Sequence, residues 1–320
     1  MGPSDGASYR LVGRLAIMLS DPALLDALAP EVGRLFDRHL ATAKEWFPHE
    51  LVPWDRAIAS DPAGPWIAGT FPLPDGVRSS LFVNLLTEDN LPYYFQTIDG
   101  LFGMPEPWGE WNRRWTAEEG RHSIVIRDYL TVTGALDPVG LERARMHQVS
   151  RGEVPQPGRM LDGIAYVALQ ELATRIAHRN TGKALDDPAG LAVMARVAAD
   201  ENLHYLLYRD LMAAAIALDP SAAVCAIERQ VRGFEMPGTG IIGFDRHAKA
   251  IAKTGIYDLE IHHGQVLEPV VLRHWKVEEL SGLDDDAERA RETLLTRIER
   301  IGKAGRRLAR RRAERQSAVV

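Results

Sequence analysis

Two glutamate–histidine pairs offer this sequence its most specific chemistry. Glu119 and His122 are three residues apart, and so are Glu201 and His204. Positions i and i+3 of a helix project from one face, so each pair can present a carboxylate and an imidazole to one ion. A lone glutamate precedes each pair: Glu88 lies 31 residues before Glu119, and Glu171 lies 30 before Glu201. Between the halves the offset is 83 residues for the lone glutamates and 82 for both members of the pairs, so one register repeats. A single Glu-x-x-His arises often by chance in helices. Two copies in equivalent frames, each with an upstream glutamate, point to a metal.

All six residues fall on apolar stripes. Leu81, Leu85, Glu88, Leu91 and Phe95 share a helical face, as do Trp115, Glu119, His122 and Ile126. Ile164, Val167, Glu171 and Thr174 repeat the pattern, and so do Val197, Glu201, His204 and Tyr208. Four carboxylates turned toward a common core are costly unless something cancels their charge. Two ferrous ions, about +4 in total, balance about −4 of carboxylate, and two neutral imidazoles complete a nearly neutral site. Glutamate from each of two helices with Glu-x-x-His from each of two others is the ligand pattern of di-iron carboxylate bundles.

Neighbouring residues extend the pattern. Glu118 precedes Glu119 and Asp200 precedes Glu201. A ligating histidine usually donates its other ring N–H to a carboxylate, so Asp200 is expected to orient His122, and Glu118 to orient His204, across a pseudo-twofold axis. Solvent ion pairs are the alternative for both acids. Thr174, one turn after Glu171, either reaches an oxygen species at the metals or bonds back to a helix carbonyl. Pro92 removes the N–H that would bond the Glu88 carbonyl and predicts a kink, with or without functional meaning. His178 lies seven residues after Glu171, but Arg179 and Asn180-Thr181-Gly182 read as a helix end and favour a structural role. His262 and His263 show no ligand spacing and read as surface residues.

The elements that must position these groups are helices. Apolar spacings of three and four recur, as in Val193, Val197, His204, Tyr208 and Leu211, and two-residue alternation is almost absent. Gly and Pro gather at 62–76, 100–109, 152–158, 182–190 and 233–243, marking connectors. The expected helical segments are 24–43 (continuous, kinked or split), 77–99, 110–133, 137–150, 159–180, 188–217, 220–232, 244–253, 262–279 and 284–315. Those starting at 77, 110, 159 and 188 are long and closely connected, which predicts an all-α four-helix bundle with additional helices. No Pro-rich or Ser-rich linker divides the chain, so residues 1–320 read as one domain, with a bundle core at about 77–217 and C-terminal helices at about 220–315.

Composition bounds the rest. The chain has 320 residues, 46% apolar and 26% charged, with a net charge of −6, enough for a large globular core. The single Cys225 cannot form an internal disulfide and the N-terminus lacks a signal-peptide pattern, so the expected compartment is the cytoplasm. The longest apolar run, Leu211 to Leu218, is eight residues against the ~20 needed to cross a bilayer, so no membrane insertion is expected. The acidic total argues against nucleic-acid binding, although Arg306, Arg307, Arg310, Arg311, Arg312 and Arg315 form a basic tail.

Four segments, Thr87-Glu-Asp-Asn-Leu-Pro92, Trp115-Thr-Ala-Glu-Glu-Gly-Arg-His122, Gln170-Glu-Leu-Ala-Thr174 and Ala199-Asp-Glu-Asn-Leu-His204, resemble the soluble acyl-carrier-protein desaturases, especially actinobacterial members. The resemblance runs from about Trp46-Phe-Pro48 to Trp275-Lys-Val277 and into the Arg-rich helix beyond. It implies a ferritin-like fold, a homodimer, and two iron ions on Glu88, Glu119, His122, Glu171, Glu201 and His204. It also implies that Thr174 lies near the oxygen-binding side, and that Trp46, Asp200 and His122 form an electron route. Gly120 stands where the commonest motif has Asn, and Asp89 where plant members have Glu; neither is a ligand position.

The implied reaction places a cis double bond in a fatty acyl chain carried on acyl carrier protein, using O2 and two electrons from ferredoxin. A methylene offers no polar handle, so the double-bond position must follow from the depth of an apolar channel. Carrier proteins are acidic, which makes Arg297, Arg300, Arg306, Arg307, Arg310 and Arg311 candidates for docking, with a solvated tail as the alternative. No base-reading motif accompanies them, so nucleic acid is not an expected partner. Other di-iron oxidases stay open, including an N-oxygenase, a ribonucleotide reductase small subunit with Tyr208 as a loose radical candidate, and an enzyme for a carrier-bound polyketide or amino-acyl chain. Ferritin-like iron storage also stays open, although 320 residues with extra C-terminal helices fit it poorly.

Overall fold

Asp-Pro dipeptides start three of the helices. Asp137, Asp187 and Asp219 each accept hydrogen bonds from backbone N–H groups of the first helical turn, and the following proline supplies a preset φ where no donor is needed. The computed structural model describes residues 21–57, 66–67 and 71–317, and among the described residues there is no strand. Its helices are α1 (Asp21–Thr42), α2 (Pro48–Leu51), α3 (Asp75–Glu88), α4 (Leu91–Phe102), α5 (Trp108–Thr133), α6 (Pro138–Arg151), α7 (Met160–Ala184), α8 (Pro188–Leu218), α9 (Pro220–Arg232), α10 (Phe244–Thr254), α11 (Leu259–His262) and α12 (Asp285–Ser317). The expected connector at 62–76 lies partly outside the described residues, as does the side chain of Arg315.

Helices α3, α5, α7 and α8 form the bundle: α7 packs along α8, α3 on α5 and α7, and α5 on α8. α1 lies across α5 and α8, α10 covers α3, α9 flanks α7, and α12 packs on α9. This is the ferritin-like all-α architecture with additional helices. The six candidate ligands form a polar layer across the bundle and divide its core. On one side pack Leu81, Leu85, Val125, Ile126, Val193 and Val197; on the other pack Trp111, Trp115, Ile164, Ala168, Tyr208 and Leu211.

Two segments differ from expectation, and a third, left open between continuous, kinked and split, is one helix. The helix expected over 77–99 breaks after Glu88 and restarts at Leu91, so Pro92 acts through a two-residue turn rather than a kink. α1 passes through Pro30 without a break and buries Leu24, Leu28, Val32, Leu35, Phe36 and His39 on one stripe. The segment expected over 262–279 splits into α11, a π-helical run at His263–His274 that contains Pro269, and a 3₁₀ turn at Val277–Glu279. Pro269 has no N–H for a regular ladder, and Trp275 N donates five residues back to Val270 O at 2.8 Å. This winding overturns the surface reading of His262 and His263, which are both buried. His262 Nδ1 lies 2.9 Å from the Tyr257 hydroxyl, and His263 packs on Gly302 of α12, where a Cβ would meet its ring at 2.5 Å.

Candidate metal centre

Glu88 is the last residue of α3. α5 supplies Glu119 and His122, α7 supplies Glu171, and α8 supplies Glu201 and His204. Each is at most 6% exposed, although such residues rarely leave water without a partner. They converge as two overlapping quartets, Glu88, Glu119, His122, Glu201 and Glu119, Glu171, Glu201, His204, with the donor atoms of each quartet within 4.8 Å of one another. Glu119 and Glu201 belong to both and so lie between the halves. His122 Nδ1 is 3.2 Å from Glu119 Oε2, 3.4 Å from Glu201 Oε1 and 3.6 Å from Glu88 Oε2. His204 Nδ1 is 2.8 Å from Glu119 Oε1 and 4.0 Å from Glu201 Oε2.

Whether these residues fit a metal is tested by their unused atoms. His122 Nδ1, His204 Nδ1, Glu119 Oε1 and Glu171 Oε2 are buried without a hydrogen-bond partner. Orphaned polar atoms in a core cost on the order of 1–3 kcal/mol each, yet here they face one another. Carboxylate oxygens with imidazole nitrogens are a donor set for Fe, Mn or Zn, and one cation in each quartet would together satisfy all four atoms.

The electrostatics carry the same imprint. Burial, then repulsion from Glu201, pushes Glu171 well above the usual carboxylate range, and the same two causes raise Glu119. Burial would raise Glu88 as well, but hydrogen bonds from His122 and His178 pull it well below that range. Burial would lower His204, but the Glu118 and Glu119 carboxylates push it up to about 10, and His122 is raised well above its usual value chiefly by Glu119 against the same burial. Protons thus stand in for positive charge that the carboxylates demand.

The outer acids meet the far nitrogens of the two imidazoles. His204 Nε2 lies 2.9 Å from Glu118 Oε2, and His122 Nε2 lies 3.5 Å from Asp200 Oδ2. Each histidine therefore turns Nε2 to an acid and Nδ1 to the centre. The Trp46 indole N–H donates to Asp200 Oδ2 at 2.8 Å, and its ring lies 6.5 Å from the His122 ring at 14°. Arg121 and Arg196 also hold Asp200, while Arg114 Nε donates to Glu118 Oε1 at 2.6 Å. The Thr174 hydroxyl lies 3.1 Å from the carbonyls of Gln170 and Glu171, which is the back-bonded arrangement, and 3.4 Å from Glu201 Oε2. Tyr208 OH accepts from the Trp111 indole at 3.1 Å.

Two histidines join the site against or beyond expectation. α7 continues to Ala184, so His178 is not at a helix end; it is buried with Nε2 3.0 Å from Glu88 Oε1. Its spacing of seven from Glu171 was the available signal. His39, on the buried stripe of α1, places Nε2 2.9 Å from Glu118 Oε2. A histidine at an apolar stripe position marks it in the sequence, but only packing brings α1 to α5.

An apolar cavity of about 90 Å³ adjoins the layer, lined by Asn84 and Thr87 of α3, Thr174 and His178 of α7, and Phe244 and Ile251 of α10. A smaller pocket of about 20 Å³ lies by Tyr94, Trp115, Tyr166 and Gln170. Trp115 donates to Glu171 Oε1 at 3.1 Å, so apolar space approaches the polar layer by two routes.

Residues 21–320 match the fatty acid desaturase family. The chain is 40% identical over 290 residues to Mycobacterium tuberculosis DesA1, named for acyl-[acyl-carrier-protein] desaturase activity, covering 88% of this chain and 86% of that one. It is 31% identical over 250 residues to the chloroplastic stearoyl-[acyl-carrier-protein] 9-desaturase 6 of Arabidopsis thaliana, covering 72% and 63%. The X-ray structure of Mycobacterium tuberculosis DesA2 superposes with a TM-score of 0.67 at 24% identity, over 84% of this chain and 99% of that one, which is a likeness of fold. The polar layer, the helical architecture and the match along the described length agree: the chain belongs to the fatty acid desaturase family.

Proposed function

We propose that this protein is an acyl-[acyl-carrier-protein] desaturase, an O2-dependent oxidoreductase with two iron ions per chain. The observation that carries the reading is the layer of four carboxylates and two imidazoles, with unpartnered atoms turned inward, beside an apolar cavity. Glu88, Glu119, His122, Glu171, Glu201 and His204 would hold the metal. Iron bound there would supply the redox chemistry by which O2, two electrons and two protons convert a CH2–CH2 unit to CH=CH and two waters. The protein supplies position and dryness.

Glu118 holds the Nε2 proton of His204 and the Asp200 carboxylate faces His122 Nε2 at 3.5 Å, which leaves each Nδ1 lone pair for the centre. Thr174 lines the cavity and carries its hydroxyl 3.4 Å from Glu201, where it is placed to hold a proton at Oγ1. The cavity walls exclude water and grip the methylenes, so depth along the cavity decides which carbons lie opposite the ligands. Trp46, Asp200 and His122 are the electron route, with ferredoxin as donor. The exposed arginines Arg306, Arg307, Arg310 and Arg311 of α12 are the docking face for the acidic carrier protein. A single domain, a homodimer and a cytoplasmic location complete the reading; no helix among the described residues is long and apolar enough to cross a membrane.

The test is product analysis. Iron-loaded protein is incubated with acyl carrier proteins bearing several chain lengths, together with ferredoxin, its reductase, NADPH and O2. A loss of two mass units from one or more acyl chains is expected. Iron-dependent O2 consumption with every acyl chain unaltered would sink the desaturase reading.

A further inference from the structure

Behind each half of the polar layer stand one indole and one imidazole, and they exchange places between the halves. In the Glu88/His122 half, the glutamate is held by an imidazole, His178 Nε2 at 3.0 Å from Glu88 Oε1. The acid behind the histidine is held by an indole, Trp46 on Asp200 at 2.8 Å. In the Glu171/His204 half the glutamate is held by an indole, Trp115 at 3.1 Å from Glu171 Oε1. The acid behind the histidine is held by an imidazole, His39 Nε2 at 2.9 Å from Glu118 Oε2, the same oxygen that meets His204 Nε2. The repeated register of the ligands would allow two equivalent metal positions; their surroundings make them different.

Neither imidazole is cheap to keep. His39 and His178 are buried, and Nδ1 of each has no hydrogen-bond partner, so a large apolar side chain would cost less in a core otherwise built from Leu, Val and Phe. His39 is the polar member of the buried stripe of α1, a helix outside the bundle that contributes none of the six candidate ligands. His178 also lines the larger apolar cavity, whereas Trp115, the outer partner in the other half, lines the smaller pocket. Nε2 of each ring faces a carboxylate, which requires the proton on Nε2 and fixes the direction in which the carboxylate points.

We propose that His178 and His39 are positioning residues that set the two metal positions apart. His178 turns the Glu88 carboxylate at 3.0 Å, with the shared Glu201 farther off at 3.7 Å, and His39 fixes His204 through Glu118, so that each bears chiefly on one ion. The proposal rests on the metal reading above. Loss of an outer partner of a metal ligand typically costs about 10–100-fold in affinity.

The experiment titrates the full chain, stripped of metal by a chelator, with Co²⁺, and follows its visible absorption together with the unfolding midpoint. Glutamine places an amide N–H near the position of imidazole Nε2, whereas asparagine reaches only as far as Nδ1. His178→Asn and His39→Asn are each expected to weaken one Co²⁺ about 10–100-fold and the other much less. His178→Gln and His39→Gln are expected to recover most of that loss, and the doubly substituted Asn chain is expected to weaken both ions. Because all four variants are polar and similar in size, a shared folding defect lowers the midpoint for Asn and Gln alike. Equal binding by Asn and Gln variants, or equal weakening of both ions by either histidine's Asn variant, would overturn the proposal. An unaltered chain that takes up no Co²⁺ would instead refute the metal reading on which it stands.

Discussion

At the scale of single residues, the centre is a set of charges that the fold has arranged before any ion is considered. Protons and metal compete for one set of atoms. Against burial, Glu118 and Glu119 push His204 up to about 10, so near pH 7 it holds a proton that a metal must displace, while burial and then Glu201 shift Glu171 upward as well. Metal affinity should therefore rise with pH up to about 10, with proton release at uptake; calorimetry in buffers of different ionisation enthalpy measures that release, and a pH-independent affinity without it would contradict the assignment.

For the metal-free chain the sign is opposite. His204 sits above its unfolded value of about 6.5, so its contribution to stability is fully present below that pH and is lost as pH rises through about 10. Asp200 runs the other way: despite burial, hydrogen bonds led by His122 lower it to about 2, so its contribution holds above the usual carboxylate range and vanishes as pH falls through about 2. Thermal melts of the stripped chain should show the midpoint declining from about pH 7 to about pH 10, and a midpoint that rises over that interval would contradict the assignment.

At the scale of elements, the break between α3 and α4 puts Glu88 at a helix end, and α10 closes the cavity over it. Gly76 makes that closure possible, because a Cβ there would lie 2.3 Å from Thr254 and 2.7 Å from the Ala250 carbonyl of α10. Gly76→Ala should force α10 away and lower stability by about 1–3 kcal/mol, read from denaturant unfolding. Gly120 behaves differently. A Cβ at that position in α5 meets only Leu91 Cδ2 at 4.0 Å, so Gly120→Ala should stabilise the chain by about 0.5–1 kcal/mol in the same measurement. Ala177 lines the cavity, and Ala177→Leu should shorten the acyl chains accepted, seen as loss of turnover on the longest carrier-bound chains with shorter ones retained.

These elements also show what could be read from residues alone. The long helices were legible because apolar spacing and Gly- and Pro-rich connectors are local signals, and the six candidate ligands were legible because their register repeats. The turn at Asp89 and Asn90, the π-helical run around Pro269 and the burial of His262 and His263 depend on packing against helices distant in sequence. His39 was marked only by its place on an apolar stripe, and its role was not legible, because its partner Glu118 is 79 residues away on a helix that only tertiary structure brings near. The cavity has no local signature, since α3, α7, α10 and the Met236–Gly238 segment each contribute a wall.

At the scale of the whole molecule, a net charge of −6 hides a strong asymmetry. Residues 303–315 carry seven cations against Glu314 alone, so the rest of the chain is correspondingly more acidic. Arg312 ties α12 to Asp258, whereas Arg306, Arg307, Arg310 and Arg311 stand exposed. Replacing those four with Glu should raise KM for carrier-bound substrate several-fold and flatten its dependence on salt, with kcat changed little, because surface charge steers association more than it alters the buried centre. An unchanged KM would remove this face from consideration.

The polar layer itself is the central claim, since every catalytic statement depends on carboxylates in the core being balanced by metal. Iron per chain, determined by colorimetric chelation on protein loaded anaerobically with Fe²⁺ and freed of excess, tests it most directly. About two irons are expected from the charge balance of four carboxylates and two imidazoles, with Glu171→Ala and Glu201→Ala each falling clearly below that value. Iron near zero in the unaltered chain, or unchanged in both variants, would contradict the account.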